Sequence, residues 1–225
     1  MSPRYYPAFI DLKGKQCVVV GGGKVAERKV AGLLRAGAKV KVISPSLTDL
    51  LERQKQKGTI EHLPRTYRKG DLKGSFLAIA ATSDDQVNTA VSKDAPCLVN
   101  VVDQPALANF IVPSVVQRGL LTIAISTSGA SPAMARAMRR ELEFLYGKDF
   151  GRFLDLVHTL RKRALKGIPE KRKREEFLKG MASAAIFDVL RRKGFSEARE
   201  VVLRKFHACT AATVKGAMRR GARRT

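Results

Sequence analysis

The stretch CVVVGGGKVAERKVAGLLRAGAKVKVIS, residues 17–44, decides the fold of this 225-residue chain. A β-branched run (17–21) meets three glycines, a helical pattern follows over 24–36, and a second apolar run fills 39–44. Strand, turn, helix and strand in that order form a parallel βαβ unit. Within it Gly21-Gly22-Gly23-Lys24-Val25-Ala26 matches G-x-G-x-x-A, after one strand and before one helix, which is the context the motif requires. Gly21 permits the tight turn, Gly23 lets the backbone approach a pyrophosphate, and small Ala26 lets the helix pack close to the strand. The helix start then presents unbonded N–H groups and the positive end of its dipole to the phosphates. The competing reading is a glycine-rich turn whose cofactor site is unused. About 20 residues on, an acid would normally bind the ribose 2′-OH. Here the second strand ends at Ser44-Pro45-Ser46, whose hydroxyls suit a ribose or tolerate a 2′-phosphate, so these residues leave NAD and NADP both open.

Outward from this unit, short apolar runs continue to alternate with helical patterns. Strands are predicted at 76–82 and 97–102, with a weaker one at 59–65, and helices at 46–57 and 84–93. Ser83 and Gln86 have capping-box spacing at the start of the last of these. A further strand at 120–126 runs into a Ser/Thr/Gly loop, after which Ser131 and Pro132 read as N-cap and N1 of a helix. Helical segments follow at 132–146, 150–165, 170–192 and 196–206, with 166–176 read as a charged connection and 215–225 as a frayed tail. The expected architecture is α/β: a Rossmann-type parallel sheet over residues 1–115, a small region over 116–150, and a basic helical domain over 151–225.

The composition, 44% hydrophobic and 28% charged, is that of a soluble globular protein. No run approaches the roughly 18 apolar residues of a membrane span, and the N-terminus lacks a signal-peptide core, so a cytoplasmic location is expected. Three dispersed cysteines, Cys17, Cys97 and Cys209, without a CxxC pair, read as buried thiols rather than disulfides or a metal cluster. The formal charge of +23 is concentrated late: residues 134–225 carry 25 Lys or Arg and 10 Asp or Glu, a net +15. Such a field attracts polyanions, whether nucleic acid, an anionic membrane surface or a small polycarboxylate, and a solvated basic face of no specific use fits the same composition.

Two loops carry candidate chemistry. The strand at 97–102 ends beside Asp103, at a carboxyl edge where open α/β sheets bind their ligands. A carboxylate there can accept a proton as a hydride leaves a substrate, although Asp before Gln-Pro is also good turn chemistry. The loop Ser126-Thr127-Ser128, ahead of Ser131 and Pro132, offers hydroxyls beside a helix N-terminus and is a candidate for holding substrate carboxylates or cofactor. His62, His158 and His207 have no metal-ligand spacing, and no metal site is expected.

Four ordered blocks, YYPAFIDLKGKQCVVVGGGKVAERKVAGLLRAGAKVKVISP, LAIAATSDDQVN, NVVDQPALANFIVPS and ISTSGASPAMAR, resemble the precorrin-2 dehydrogenase and sirohydrochlorin ferrochelatase family of sirohaem synthesis. The likeness covers residues 5–150; beyond that it is to a helical tail of suitable length, and the methyltransferase domain of longer relatives is not part of this sequence. The resemblance implies NAD-dependent oxidation of precorrin-2 to sirohydrochlorin in a homodimer whose subunits each have a Rossmann domain, a dimerisation region and a helical domain. It places the catalytic aspartate at Asp103 and nucleotide contacts at Gly22, Gly23, Lys24 and Val25, beside Gly21, at Ser44-Pro45-Ser46, and at the AAT that ends in Thr82. Some members also insert Fe²⁺, as a substrate, into sirohydrochlorin, while others only oxidise, and the shared motifs do not distinguish them.

On this reading the partner is a tetrapyrrole polycarboxylate, complementary to a basic helical domain. Two other classes compete: an NAD-sensing Rossmann module that uses its basic part for docking, and nucleic-acid binding. The second lacks a recognised RNA or DNA motif and has few aromatics for base stacking, so no specific nucleic acid is expected.

Overall fold

In a computed structural model, the backbone is described for residues 5–221 and side chains for residues 5–210. The chain divides into two compact units, 1–112 and 113–225.

The first unit is built around five parallel strands: β1 (Gln16–Val20), β2 (Lys39–Ile43), β3 (Ile60–Leu63), β4 (Leu77–Ala80) and β5 (Leu98–Val101), in spatial order β3-β2-β1-β4-β5. The period-2 pattern explains the layering. Cys17, Val19, Val40, Val42, Leu77 and Ile79 face one core with Ala26, Val30 and Leu33 of α1 (Lys24–Arg35) and Leu51 of α2 (Asp49–Gln56). Val18, Val20, Ile43, Ala78, Ala80, Val99 and Val101 face a second core with Val91 of α3 (Asp85–Asp94). Because both faces are covered, the strands read as nearly continuous apolar runs, as buried parallel strands do. The strand order reverses between β1 and β4, so their carboxyl ends diverge into the crevice where this topology takes its ligands.

All five expected strands form, and the weak one at 59–65 is β3. Helix starts differ from expectation. α2 begins at Asp49 rather than residue 46, because Pro45 and the following turn leave Thr48 as the cap, accepting from Leu51 N at 3.4 Å. α3 is capped by Asp84, not Ser83: one carboxylate oxygen of Asp84 accepts from both Gln86 N (2.9 Å) and Val87 N (3.1 Å). A carboxylate serves two amides at a positive helix end better than one hydroxyl does.

The second unit opens with an antiparallel hairpin, β6 (Ser114–Arg118) and β7 (Leu121–Ile125), of which only β7 was expected. Helices α4 (Pro132–Leu145), α5 (Lys148–Gly167), α6 (Lys171–Met181) and α7 (Ala184–Gly221) follow. The expected cap Ser131 accepts from Met134 N at 3.1 Å. Residues 166–176 are not a connection; α5 reaches Gly167 and α6 resumes at Lys171, leaving three residues that include Pro169. The single helix expected over 170–192 is broken between Met181 and Ala184. α7 is itself two helices joined at Gly194, whose φ of 81° no helix interior accommodates. The Asp149 carboxylate fixes that kink by accepting from Phe195 N at 3.0 Å. A core of Phe150, Phe153, Leu160, Phe177, Ile186, Leu190, Val202 and Phe206 holds α5, α6 and α7 together. The backbone of α7 is helical to Gly221, so the frayed tail expected at 215–225 is not seen up to there; the rest of it lies outside the described residues.

Candidate cofactor site and its aspartate

A cavity of about 700 Å³ opens at the carboxyl edge of the five-stranded sheet. The carboxyl ends of all five strands, or the segments that leave them, contribute to its wall: residues 20–25 at the end of β1, 43–45 at the end of β2, Thr66 and Tyr67 after β3, Ala81 to Asp85 with Val87 and Asn88 after β4, and Val102, Asp103 and Gln104 after β5.

The three glycines of the turn are glycine for three separate reasons. Gly21 has a φ of 119°, and a Cβ there would stand 2.5 Å from the Ala81 carbonyl oxygen on the neighbouring strand end. A Cβ on Gly22 would overlap the Ser46 carbonyl oxygen and lie 2.7 Å from Ser44 Oγ. Gly23 has no protein atom within 4 Å of the corresponding position, although it lines the cavity. Its missing side chain therefore leaves room for a ligand rather than for the protein. Ala26 is fully buried against the sheet, as the motif demands.

The start of α1 is prepared for an anion. Its first helical bond runs from Glu27 N to Gly23 O at 3.0 Å, which leaves the amides of Lys24, Val25 and Ala26 without intrahelical acceptors. No side chain caps this end, whereas α2 and α3 are capped by Thr48 and Asp84. Lys24, the one cation lining the cavity among the described residues, stands beside these amides. A phosphate group fits this donor set.

The loop after β2 forms a further part of the wall. Ser44 is buried, its carbonyl contacts His62 Nε2 at 2.9 Å, and its amide donates to Leu63 O at 3.2 Å. Pro45 lines the cavity; Ser46 is not among the lining residues, and its carbonyl instead backs Gly22. Among the described residues no carboxylate of this loop lines the cavity, and the Glu27 carboxylate beside it accepts from Thr48 Oγ1 at 2.6 Å. Arg65 nearby is held bidentate by Asp71, with bonds of 2.7 and 2.8 Å.

Thr82 is held by Asn88, a buried side chain on α3 that sequence reasoning missed. Thr82 Oγ1 donates to Asn88 Oδ1 at 2.9 Å, and Asn88 Nδ2 donates back to Thr82 O at 3.1 Å. Its signal was available in the AATSDDQVN block, where a polar residue stands on the apolar face of a helix.

Asp103 lies two residues past the end of β5, exposed to the cavity, with a φ of 60°. One turn along α1 from the cavity-lining Val25, the half-buried Lys29 also went unnoticed in the sequence. Burial is the main cause lowering its ammonium pKa, Arg28 adds to this, and the Asp103 carboxylate opposes it. Among the described residues no group of three or more His, Cys, Asp or Glu is arranged to hold a metal, and no helix is long and apolar enough to cross a membrane.

Ser126, Thr127 and Ser128 belong to the second unit, directly after β7. Ser126 Oγ accepts from Ser128 N at 3.0 Å, and Thr127 Oγ1 both donates to Ser131 O and accepts from Ser131 N. Ser128, like Asp103, has a positive φ, here 50°.

Comparison with known proteins follows the same division. Residues 8–114 match a family described as putative NAD(P)-binding, and residues 118–143 one described as the central part of sirohaem biosynthesis proteins. The siroheme synthase of Thioalkalivibrio sulfidiphilus is 38% identical over 201 residues, 88% of this chain and 41% of that protein. That of Methylobacillus flagellatus is 45% identical over 149 residues, 65% of this chain and 32% of that one. A solved structure described as SirC, precorrin-2 dehydrogenase, superposes with a TM-score of 0.76 at 26% identity, covering 91% of this chain and all of that one.

The chain is thus similar to a precorrin-2 dehydrogenase over that protein's full length and to the siroheme synthases over part of theirs. It spans about two-fifths or less of the length of these siroheme synthases.

Proposed function

We propose that the protein oxidises precorrin-2 to sirohydrochlorin with NAD⁺. One observation carries the reading: the phosphate-ready start of α1 and the exposed carboxylate of Asp103 open into the same cavity. The likeness to a precorrin-2 dehydrogenase over its whole length supports the choice of substrate.

When bound, the dinucleotide supplies the hydride acceptor. The amides of Lys24 and Val25 and the ammonium of Lys24 hold the pyrophosphate, Gly23 leaves it room, and Ser44 with Pro45 receives the ribose. The Thr82 loop, fixed by Asn88, forms the far wall. Asp103 accepts at its carboxylate oxygen the proton released as the substrate loses hydride, so precorrin-2 and NAD⁺ give sirohydrochlorin, NADH and a proton. The hydroxyls of the 126–128 loop and the basic side chains of the second unit bind the carboxylates of the macrocycle. The active form is a homodimer. In its support, α4 leaves Met134 (56%), Met138 and Phe144 (88%) exposed among the described residues.

The test is an anaerobic spectrum of precorrin-2 with this protein and NAD⁺. Sirohydrochlorin and NADH should appear in equal amounts, and the Asp103→Ala variant should bind NAD⁺ normally while turnover falls by about 10²–10⁴-fold. NAD⁺ binding without any oxidation by the wild type would instead identify a nucleotide sensor. Fe²⁺ added after oxidation is complete reads out metal insertion against the uncatalysed rate.

A further inference from the structure

Asp103 is one of two non-glycine residues among those described with a positive φ. Aspartate tolerates the left-handed region better than most residues, but such a conformation persists only where its surroundings impose it. The chain beyond it is well anchored. Leu107 O accepts from Ser92 Oγ on α3 at 2.6 Å, and Asn109 bonds β5 and its approach through Val99 N (2.7 Å) and Cys97 O (3.1 Å). Before it, β5 ends at Val101. Between these anchors the backbone is held by Val102 N donating to Ala80 O (3.0 Å), the turn-closing Gln104 N to Val101 O (3.3 Å) and Leu107 N to Gln104 O (3.1 Å), and among the described residues one side-chain bond adds to these: Gln104 Nε2 donates to Asp85 Oδ1 at 2.6 Å. Asp85 is the first residue of α3, and Asp85, Asp103 and Gln104 all line the cofactor cavity.

We propose that Asp85, acting through Gln104, is a positioning residue that holds Asp103 in its left-handed turn with the carboxylate directed into the cavity. The inference rests on the reading of Asp103 as the proton-accepting group and extends it to the neighbouring loop. A charge-assisted bond at this short distance is directional enough to fix a main-chain turn. Asp85 is exposed and Gln104 half-exposed, so losing their bond leaves the sheet and both cores intact. The consequence is local: released from Asp85, Gln104 lets Asp103 relax to negative φ, and its carboxylate swings away from the position it must occupy when the substrate loses its hydride.

The test compares Gln104→Ala, Asp85→Ala, Asp85→Asn and the double Asp85→Ala/Gln104→Ala variant, by crystal structure and by steady-state kinetics with NAD⁺ and precorrin-2. Both single alanine variants should show Asp103 out of the left-handed region and kcat reduced about tenfold or more, as expected for a misplaced reacting group. The KM for NAD⁺ should stay within about twofold, because the pyrophosphate contacts are untouched. The double variant should be no worse than either single one, since both remove one bond, and Asp85→Asn should recover most of the turnover because its amide oxygen still accepts from Gln104. Wild-type φ and kcat in the alanine variants, or losses that multiply in the double variant, would overturn the proposal. Should the wild type itself fail to oxidise precorrin-2, the functional reading falls while the φ of Asp103 in the Gln104→Ala structure still decides the positioning role.

Discussion

Replacing Gly22 and Gly23 separately by alanine should produce opposite defects, although the residues are neighbours in one motif. At Gly22 the new methyl overlaps the Ser46 carbonyl and crowds Ser44 Oγ at 2.7 Å, both on a loop tied to β3 through Ser44 N and Leu63 O. The neighbour that must move is backbone, so the expected cost is that of overpacking, about 1–3 kcal/mol. At Gly23 the methyl meets no protein atom, and the backbone (φ −83°, ψ −176°) is one that alanine adopts without strain. Folding stability should fall there by no more than the preference for glycine over alanine at an N-cap, roughly 0.5–1 kcal/mol. The ligand, however, loses its close approach. A phosphate pushed outward forfeits one or two bonds from backbone amides to a charged acceptor, at about 1.5–3 kcal/mol each, which is on the order of 10–100-fold in Kd for the loss of one. Thermal unfolding without cofactor and calorimetric titration with NAD⁺ separate the two quantities. Gly22→Ala should lower Tm clearly more than Gly23→Ala, and Gly23→Ala should weaken NAD⁺ binding at least tenfold while remaining folded. Wild-type affinity in Gly23→Ala would refute the assignment of that open space to the dinucleotide.

Asn88→Ala should destabilise the first unit by about 1–3 kcal/mol, because Asn88 is buried and its removal takes the side-chain partner from Thr82 N and Thr82 O, while Thr82 Oγ1 keeps its bonds to the Asp84 backbone, and urea unfolding would measure this. Met138→Asp, which places a charge in the exposed apolar face of α4, should convert the proposed dimer to monomer in sedimentation, while an unchanged mass would remove that face from the interface. The Asp71 carboxyl is held below its ordinary pKa chiefly by the Arg65 hydrogen bonds; burial opposes the shift and the Arg68 amide adds to it. A carboxylate lowered on folding contributes stability that is full above its unfolded pKa of about 4 and is lost as pH falls through its folded value. The stability gap between wild type and Asp71→Asn should therefore be open at pH 7 and close in acid.

What the sequence determined by itself is whatever depends on local pattern. The unbroken apolar runs at 17–20 and 77–80 marked parallel strands buried on both faces, and the glycine turn between strand and helix located one wall of the cavity. Asp103 could be placed at the carboxyl edge because it follows an apolar run directly. The tertiary structure decided everything that depends on which distant residues meet. Gly22 is required by Ser46, on the next strand's loop, and Thr82 is held by a side chain one turn into the following helix. Gln104 meets Asp85 only because β4 and β5 lie side by side and end at the same edge. The cap of α3 also escaped the sequence, since Ser83 and Asp84 are both good caps and only the path of the chain out of β4 selects between them. Periodicity fixes which face of an element is buried, whereas register and strand order, set by packing over the whole sheet, fix which neighbours each loop finds there.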